Sequence, residues 1–227
     1  ASRVCVLNES VRQMFLDAGR HGHEVIVTGN PAFDGLTSAR SRQQGKKLRE
    51  ERRWDDGRVT VLWASQVEPD FHPFTQARGD PALPRLVESR LRHLVSEHRD
   101  MRLVVRYHPS ERETFRPDQR VEFSPTTEDL AALLHAVDLV VVTASTVGLE
   151  AHLAGRPVVS VDLSVFTKDA PFSRMGIATG VADLDELGPT LLRVKAAGLK
   201  APEASETSGD PESSSTARIT TVIQSLI

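Results

Sequence analysis

The chain alternates short, uninterrupted apolar runs with longer segments in which apolar residues recur every three or four positions. The runs are rich in β-branched residues and contain no alternating polar positions, as Leu139-Val140-Val141-Val142 shows. Such runs are typical of parallel sheets, whose strands are covered by helices on both faces. The pattern predicts six strands, at residues 4–7, 25–28, 59–64, 103–107, 139–143 and 158–161.

The segments between these runs have helical periodicity. The leucines and valines of residues 83–97, for example, keep to one stripe of a helix. Helices are predicted at residues 10–18, 34–51, 83–97, 128–136, 147–154 and 184–196. Strands that alternate with helices, joined by right-handed crossovers, predict an α/β fold with a Rossmann-like doubly wound parallel sheet and helices on both faces.

Composition divides the chain further. Residues 1–57 are predicted to be strand and helix segments that precede a Rossmann-like domain of residues 58–198. Residues 199–217 are rich in Ser, Glu, Pro and Gly without large apolar residues, which predicts a disordered linker. The apolar pattern of residues 218–227 predicts a C-terminal helix.

Charge and cysteine content exclude several classes of protein. The 227 residues carry 28 Lys and Arg against 31 Asp and Glu, a formal charge of −3, so we expect no nucleic-acid partner. One cysteine, Cys5, allows no internal disulfide and no Cys-rich metal site, which favours a cytoplasmic location. We find no apolar run of membrane-spanning length and no signal peptide. The absence of an initiator Met suggests a fragment or a processed product.

Ligands of open α/β sheets gather at the carboxyl ends of the strands. Three predicted strands end in polar residues: Ser65-Gln66, His108-Pro109 and Thr143-Ala144-Ser145-Thr146. We expect all three ends to lie on one edge of the sheet and to line one cleft. Polar residues after a strand are common, so Ser65 and Gln66 alone are weak indicators.

The stretch from Thr143 to Glu150 is the most informative. The hydroxyls of Ser145 and Thr146 stand at the start of a helix, where unpaired N–H groups and the helix dipole favour phosphate. Gly148 allows a ligand or a strand to approach closely. Glu150, one turn beyond Thr146, can accept hydrogen bonds from a ribose diol. The alternative is that Ser145 and Thr146 only cap the helix, and that Glu150 is a surface residue.

Arg106 and His108 lie two residues apart on a strand and therefore point to the same side. Together they can address one anion; the alternative is a surface turn with an incidental histidine. The other histidines are predicted to be solvated, without metal-ligand spacing. No metal or cofactor is expected.

Several motifs, taken together, resemble two-domain nucleotide-sugar enzymes of the glycosyltransferase-B fold. Residues 27–34 resemble their crossover segment, which implies that residues 1–57 form inter-domain crossover segments. Residues 61–66 resemble the first strand and loop of their C-terminal domain, which implies that residues 58–198 form a Rossmann-like nucleotide-sugar-binding domain. Residues 105–111 are similar to the His-Pro motif of capsule-type transferases, including bacterial sialyltransferases and polyol-phosphate transferases. Residues 136–139, 145–151 and 155–159 resemble the superfamily's nucleotide-binding segment. UDP-N-acetylglucosamine 2-epimerases belong to the same superfamily.

The resemblance implies roles for individual residues. Ser145 and Thr146 would hold the phosphates and Glu150 the ribose, while Ser65 and Gln66 would line the pocket. His108 would contact the phosphate and stabilise the leaving group. Epimerases of this kind carry a His-Arg pair where this chain has Ser65-Gln66, and a Gly-Gly and double-acid signature in place of residues 146–151. These departures favour transfer over epimerisation.

The resemblance also implies a partner domain. In the family, residues preceding Val4 would form a first Rossmann-like domain that binds the acceptor and supplies the catalytic base. We therefore expect this chain to be the C-terminal half of a larger enzyme, binding a nucleotide sugar without turning it over.

The sequence thus predicts the donor-binding domain of a glycosyltransferase of surface-polysaccharide biosynthesis. It would transfer a sugar or a polyol phosphate to a glycan from a UDP-, CMP- or CDP-linked donor. Peripheral membrane association of the full enzyme is compatible with this prediction. Two alternatives stay open: a nucleotide-sugar epimerase or hydrolase of the same fold, and a non-catalytic binding or interaction module.

Overall fold

The structure is a computed structural model that describes residues 2–200 and 214–226. The chain divides into two compact units. Residues up to Ser38, together with the C-terminal residues 214–226, form the smaller unit, and the larger begins at Ala39. Most of the predicted linker, residues 201–213, lies outside the described residues.

The elements follow the predicted order. The strands are β1 (Val4–Val6), β2 (Val25–Val27), β3 (Val59–Ala64), β4 (Met101–Arg106), β5 (Val121–Phe123), β6 (Leu139–Val142), β7 (Val158–Val161) and β8 (Thr179–Val181). The helices are α1 (Glu9–Asp17), α2 (Ala39–Glu51), α3 (Leu83–Glu97), α4 (Leu130–Ala136), α5 (Val147–Leu153), α6 (Leu187–Ala196) and α7 (Ser215–Gln224). None of the helices within these described residues is both long and apolar enough to cross a membrane.

The smaller unit pairs β1 with β2 in parallel through the crossover helix α1. The side chain of Asn8 accepts from the N–H of Val11 (3.0 Å) and so caps α1. A helix was predicted from residue 34, but a short 3-10 turn at Pro31–Phe33 comes first and α2 begins only at Ala39. The C-terminal helix begins at Ser215, three residues before the predicted boundary, because the side chain of Ser214 accepts from the N–H of Ala217.

The larger unit contains one six-stranded parallel sheet in the order β5-β4-β3-β6-β7-β8. Central strand β3 pairs with β4 on one side and β6 on the other, so that Val61 lies between Leu103 and Leu139. These apolar strands are buried almost completely, as their uninterrupted apolar runs require. The doubly wound α/β fold predicted from the sequence is confirmed.

The helices complete the core. Helix α3 spans the residues predicted for it and buries Val87 and Leu91 beside the sheet. Helix α2 packs on α4 at Gly45, where a Cβ would come within 2.3 Å of the Cβ of His135. A larger residue at Gly45 would therefore push the two helices apart.

Candidate functional site

The topology brings the three polar strand ends together at one sheet edge. Strands β4, β3 and β6 are neighbours and run parallel, so Ser65, His108 and Thr143 follow strands that end on the same side. The N–H of Ser65 donates to the carbonyl of Arg106 (2.9 Å), which joins the ends of β3 and β4 directly.

The turn between β6 and α5 leaves hydrogen-bond donors unpaired. The hydroxyl oxygen of Ser145 accepts from the N–H of Val147 (3.3 Å), and its carbonyl accepts from Gly148 (2.9 Å). Ser145 therefore closes the first turn of the helix, whereas the exposed Thr146 makes no side-chain cap. Among the described residues no acceptor receives the backbone N–H of Ser145 or Thr146.

One hydroxyl beside this turn is buried without a partner. Thr143 follows the last residue of β6 and is 2% exposed. Its carbonyl accepts from the hydroxyl of Ser160 (3.1 Å). Its own hydroxyl finds no hydrogen-bond partner in the described part of the chain. A buried polar group without a partner is costly, and this hydroxyl lies just beneath the surface at the end of β6.

Gly148 allows a strand to pack closely against the start of the helix. A Cβ at this position would lie 2.9 Å from Cγ2 of Val142 and 3.2 Å from Cε2 of Phe172. Glycine therefore lets α5 start close against β6. The sequence left open whether a ligand or a strand approaches Gly148, and in the structure strand β6 does so.

Glu150 is a half-buried carboxylate near the end of β4. Burial raises the pKa of Glu150, and the charge of Arg106 opposes that rise. Its side chain forms no hydrogen bond with any other described residue. Both oxygens are thus able to accept from a ligand.

The guanidinium of Arg106 is already occupied. It donates to the hydroxyl of Ser124 (2.9 Å) and to three carbonyls, those of Pro125 (3.0 Å), Thr126 (3.2 Å) and Glu128 (3.0 Å). Burial lowers the pKa of Arg106, while nearby carboxylates oppose that shift. Arg106 therefore supplies positive charge to this edge while its terminal donors fix the loop after β5.

His108 is exposed, with one ring nitrogen in use. Its Nδ1 accepts from the N–H of Ser110 (3.1 Å), so in the neutral ring the proton lies on Nε2. The backbone N–H of His108 donates to Oε2 of Glu111 (2.7 Å). The exposed ring thus presents an N–H donor from a fixed turn.

Glu111 links this turn to two other elements and was not predicted from the sequence. Its Oε1 accepts from the hydroxyl of Ser65 (2.9 Å) and from Nη2 of Arg85 (2.6 Å). Ser65, 4% exposed, is therefore held in a hydrogen-bond network. Glu111 follows the His-Pro motif closely enough to be suspected, but Arg85 arrives from helix α3 and no local pattern indicates it.

A second network joins the loops after β3 and β7. Nε2 of Gln66 donates to the hydroxyl of Ser164 at 3.5 Å, and Glu68 accepts from that same hydroxyl (2.7 Å) and from the N–H of Val165 (2.7 Å). Glu68, like Arg85, was not predicted from the sequence. This network fixes the loop that carries Gln66.

Two histidines were predicted wrongly to be solvated. His72 is 4% exposed and bonds to Asp169 (2.6 Å) through Nε2. Its Nδ1 accepts from the N–H groups of Phe74 and Thr75. His152 is 9% exposed, and burial lowers its pKa. Tertiary packing buries both rings, and neither local sequence contains an apolar pattern that would reveal it.

Comparison with known proteins identifies similar structures only. No protein-family model and no curated protein sequence matches the chain. The UDP co-structure of S. aureus MnaA is similar over the whole chain, with a TM-score of 0.68 and 15% identity, and 60% of it is covered. UDP-GlcNAc 2-epimerase from Neisseria meningitidis, bound to UDP-GlcNAc, has a TM-score of 0.68 and 14% identity. The similarity covers 100% of this chain and 62% of that one.

A polymerase also has this fold. A variant of the wall teichoic acid polymerase TagF has a TM-score of 0.58 and 13% identity, with 99% of this chain and 57% of that one covered. The chain therefore spans about 60% of the length of these structures. These similarities confirm the predicted fold, a Rossmann-like α/β fold of the glycosyltransferase-B type.

Proposed function

We propose that the edge formed by β3, β4 and β6 binds a nucleotide sugar. The chain would be the donor-binding part of a glycosyltransferase that transfers a sugar or a polyol phosphate from a nucleotide donor to a glycan. Two structural neighbours were determined with UDP or UDP-GlcNAc bound, which supports this class of ligand.

The single observation that carries the proposal is the unpaired turn before α5. The N–H groups of Ser145 and Thr146 are consecutive and receive no described acceptor. Adjacent N–H groups of this kind form a concave binding site for phosphate oxygens. The exposed hydroxyl of Thr146 adds another hydrogen-bond donor. The diphosphate of the nucleotide sugar would lie here.

Glu150 would bind the ribose. It lies one turn after Thr146, and its carboxylate has no described hydrogen-bond partner. An ionised carboxylate can accept from both hydroxyls of a ribose at once. The charge of Arg106 favours the ionised form.

His108 would stabilise the departing nucleotide. Its Nε2–H is the exposed donor of a turn whose backbone Glu111 fixes. A donor held in place before the reaction stabilises charge on a leaving phosphate without reorganisation. Arg106 adds positive charge from the same strand end.

Epimerisation is the second candidate, and one observation favours it. The epimerase from Neisseria meningitidis has a TM-score of 0.68, compared with 0.58 for TagF. The hydroxyl of Ser65, however, is bound by Glu111 and Arg85, which leaves the end of β3 with a structural role. A non-catalytic binding or interaction module would keep the sheet and lose the chemistry.

Titration calorimetry of the chain with UDP, CMP and CDP tests nucleotide binding. We expect at least one to bind at millimolar concentration or better, and Glu150→Ala to weaken that binding tenfold or more, because hydrogen bonds to charged groups contribute about 1.5–3 kcal/mol each. Glu97→Ala, which removes an exposed carboxylate of α3, is the matched control.

Incubation with UDP-GlcNAc then tests for turnover. Formation of the 2-epimer would establish epimerisation and refute the transferase proposal, whereas the isolated donor-binding half is expected to leave UDP-GlcNAc unchanged. If the wild-type chain binds none of the three nucleotides, the chain is a non-catalytic module.

A further inference from the structure

The turn that carries His108 is held by a side chain from outside the predicted site. Arg85 lies in the first turn of helix α3. Its Cζ lies 4.6 Å from the centroid of the Tyr107 ring, and its Nη2 donates to Oε1 of Glu111 (2.6 Å). Tyr107 directly precedes His108, and Glu111 follows it by three positions. One guanidinium therefore holds the turn on both sides of the histidine.

Arg85 is itself fixed by two further hydrogen bonds. Its Nη1 donates to Oε2 of Glu88 (2.7 Å), a buried carboxylate one turn further along α3. Its Nη2 also donates to the hydroxyl of Ser65 (2.9 Å), at the end of β3. A planar guanidinium with partners in these directions keeps one orientation, so the groups that it holds keep theirs.

The carboxylate of Glu111 depends on this guanidinium. Its side chain is 6% exposed, and in the described part of the chain Arg85 is the only cation that pairs with it. Removing the partner of a buried charge is strongly destabilising. Oε2 of Glu111 accepts from the N–H of His108 (2.7 Å), and the N–H of Glu111 donates to the carbonyl of His108 (2.8 Å). Arg85 thus stabilises the group that closes the turn.

The ring of His108 follows the backbone of this turn. Its Nδ1 accepts from the N–H of Ser110 (3.1 Å), which leaves the proton of the neutral ring on Nε2. An open turn would withdraw the N–H of Ser110, and either ring nitrogen would then carry the proton. The exposed Nε2–H donor therefore requires the closed turn.

We propose that Arg85 is a positioning residue for the phosphate-binding histidine. It acts through Glu111 and Tyr107, contacts no ligand itself, and keeps Nε2–H of His108 in the orientation that meets the diphosphate. The proposal rests on the proposed function and names a residue on which its selectivity for phosphate depends. A donor that is already in place loses little freedom when the ligand binds.

Calorimetry with UDP and uridine tests this role in a double-mutant cycle. We expect Arg85→Gln to weaken UDP binding about fivefold and to leave uridine binding unchanged, because only the phosphates meet His108. In the His108→Ala background, the same substitution should change UDP affinity less than twofold, since no ring is left to position. If the chain prefers cytosine, CDP and cytidine replace this pair.

Arg92→Gln is the matched control. Arg92 lies two turns further along α3 and also donates to Glu88 (2.8 Å), but it forms no hydrogen bond with residues 107–111 in the described chain. UDP affinity of this variant should stay within twofold of that of the wild type.

A spectroscopic measurement separates positioning from loss of the fold. At a pH where the ring is neutral, NMR of the imidazole nitrogens should show one tautomer of His108 in the ligand-free wild type and a mixture in Arg85→Gln. Circular dichroism verifies folding. If Arg85→Gln does not fold, Arg85→Lys takes its place in the cycle, since one ammonium cannot bond to both carboxylates and cover the Tyr107 ring.

Three results would overturn the proposal: an equal loss of UDP affinity with and without the His108 ring, an equal loss in Arg92→Gln, or an unchanged tautomer in the Arg85 variant. Each of these refutes the role of Arg85 alone when the wild type binds UDP. Absence of nucleotide binding by the wild type would instead refute the proposed function.

Discussion

The carboxylate of Asp34 caps helix α7 by accepting from the backbone N–H of Ser215, 181 residues further along the chain. The distance from that nitrogen to Oδ1 is 2.8 Å. Oδ2 accepts from the N–H of Thr216 (2.9 Å) and from its hydroxyl (2.7 Å). Ser214 satisfies the next two N–H groups of the helix, so its entire first turn is paired.

This cap predicts an acid-sensitive helix. Burial alone would raise the pKa of Asp34, but the hydrogen bonds from Thr216 and Ser215 outweigh it and lower the pKa from 3.8 to about 2. A lowered acid pKa stabilises the fold above pH 3.8, and this stabilisation is lost as the pH falls towards 2. The protection factors of the α7 amides in hydrogen exchange should fall over that interval.

Asp34→Ala should remove that dependence. Loss of a helix cap costs about 0.5–2 kcal/mol, so we expect faster exchange in α7 already at pH 6, with little further change on acidification. Asp17→Ala, which removes a carboxylate from α1, is the control. Unchanged α7 protection in Asp34→Ala would show that other contacts hold the helix.

Neutralising Glu150 is expected to affect stability and ligand binding differently. Because burial raises its pKa above 4.5, the folded state disfavours the charge, and the associated stabilisation is lost as the pH rises through the folded-state pKa. We expect Glu150→Gln to melt at the same temperature as the wild type or higher at pH 7, yet to bind UDP about tenfold more weakly.

The same carboxylate makes UDP binding pH-dependent. Acidification from pH 7 through the raised pKa of Glu150 should weaken UDP binding to the wild type more than to Glu150→Gln, because the terminal phosphate of UDP titrates with both proteins. Calorimetry at several pH values measures this. Identical profiles for both proteins would exclude Glu150 as the ribose acceptor.

His108 is predicted to recognise phosphate rather than base. His108→Ala removes an exposed ring, so its melting temperature should stay within a degree or two of that of the wild type. Its affinity for UDP should fall several-fold, and its affinity for uridine should not change. Equal losses for both ligands would indicate that the ring contacts the nucleoside instead.

Gly148 and Gly188 predict opposite effects of the same substitution. At Gly148 a new Cβ meets Cγ2 of Val142 at 2.9 Å, and overpacking of this kind costs about 1–3 kcal/mol. At Gly188, in α6, the nearest atom is Cδ1 of Leu94 at 3.6 Å, and alanine gains about 0.8–1 kcal/mol of helix propensity. Thermal unfolding should show Gly148→Ala destabilised and Gly188→Ala stabilised.

The sequence predicted the central buried strands of the larger sheet but not its edge strands β5 and β8. Uninterrupted apolar runs mark β3, β6 and β7 because both faces of a central parallel strand are covered. Edge strands β5 and β8 have three residues each, and Thr179 and Gly180 are exposed. Such short strands depend on a neighbouring strand for their hydrogen bonds and show no periodicity of their own.

The site shows the same division. The ends of β3, β4 and β6 were predictable because parallel strands end together. The partners Arg85 and Glu68 were not. Arg85 reaches Glu111 from helix α3, and Glu68 gains its role only from contacts with Ser164 and Val165 beyond β7. The occupied guanidinium of Arg106 likewise depends on a loop whose position no local pattern indicates.

The position of β3 has a consequence for the order of assembly. It is the first strand of the larger sheet along the chain and lies at its centre. During synthesis, β4 and β5 can pair on one side of β3 before β6, β7 and β8 extend the other side. The sheet can therefore form outward from β3. Asp34 is synthesised 181 residues before Ser215. Its carboxylate therefore cannot make these hydrogen bonds until α7 has been synthesised.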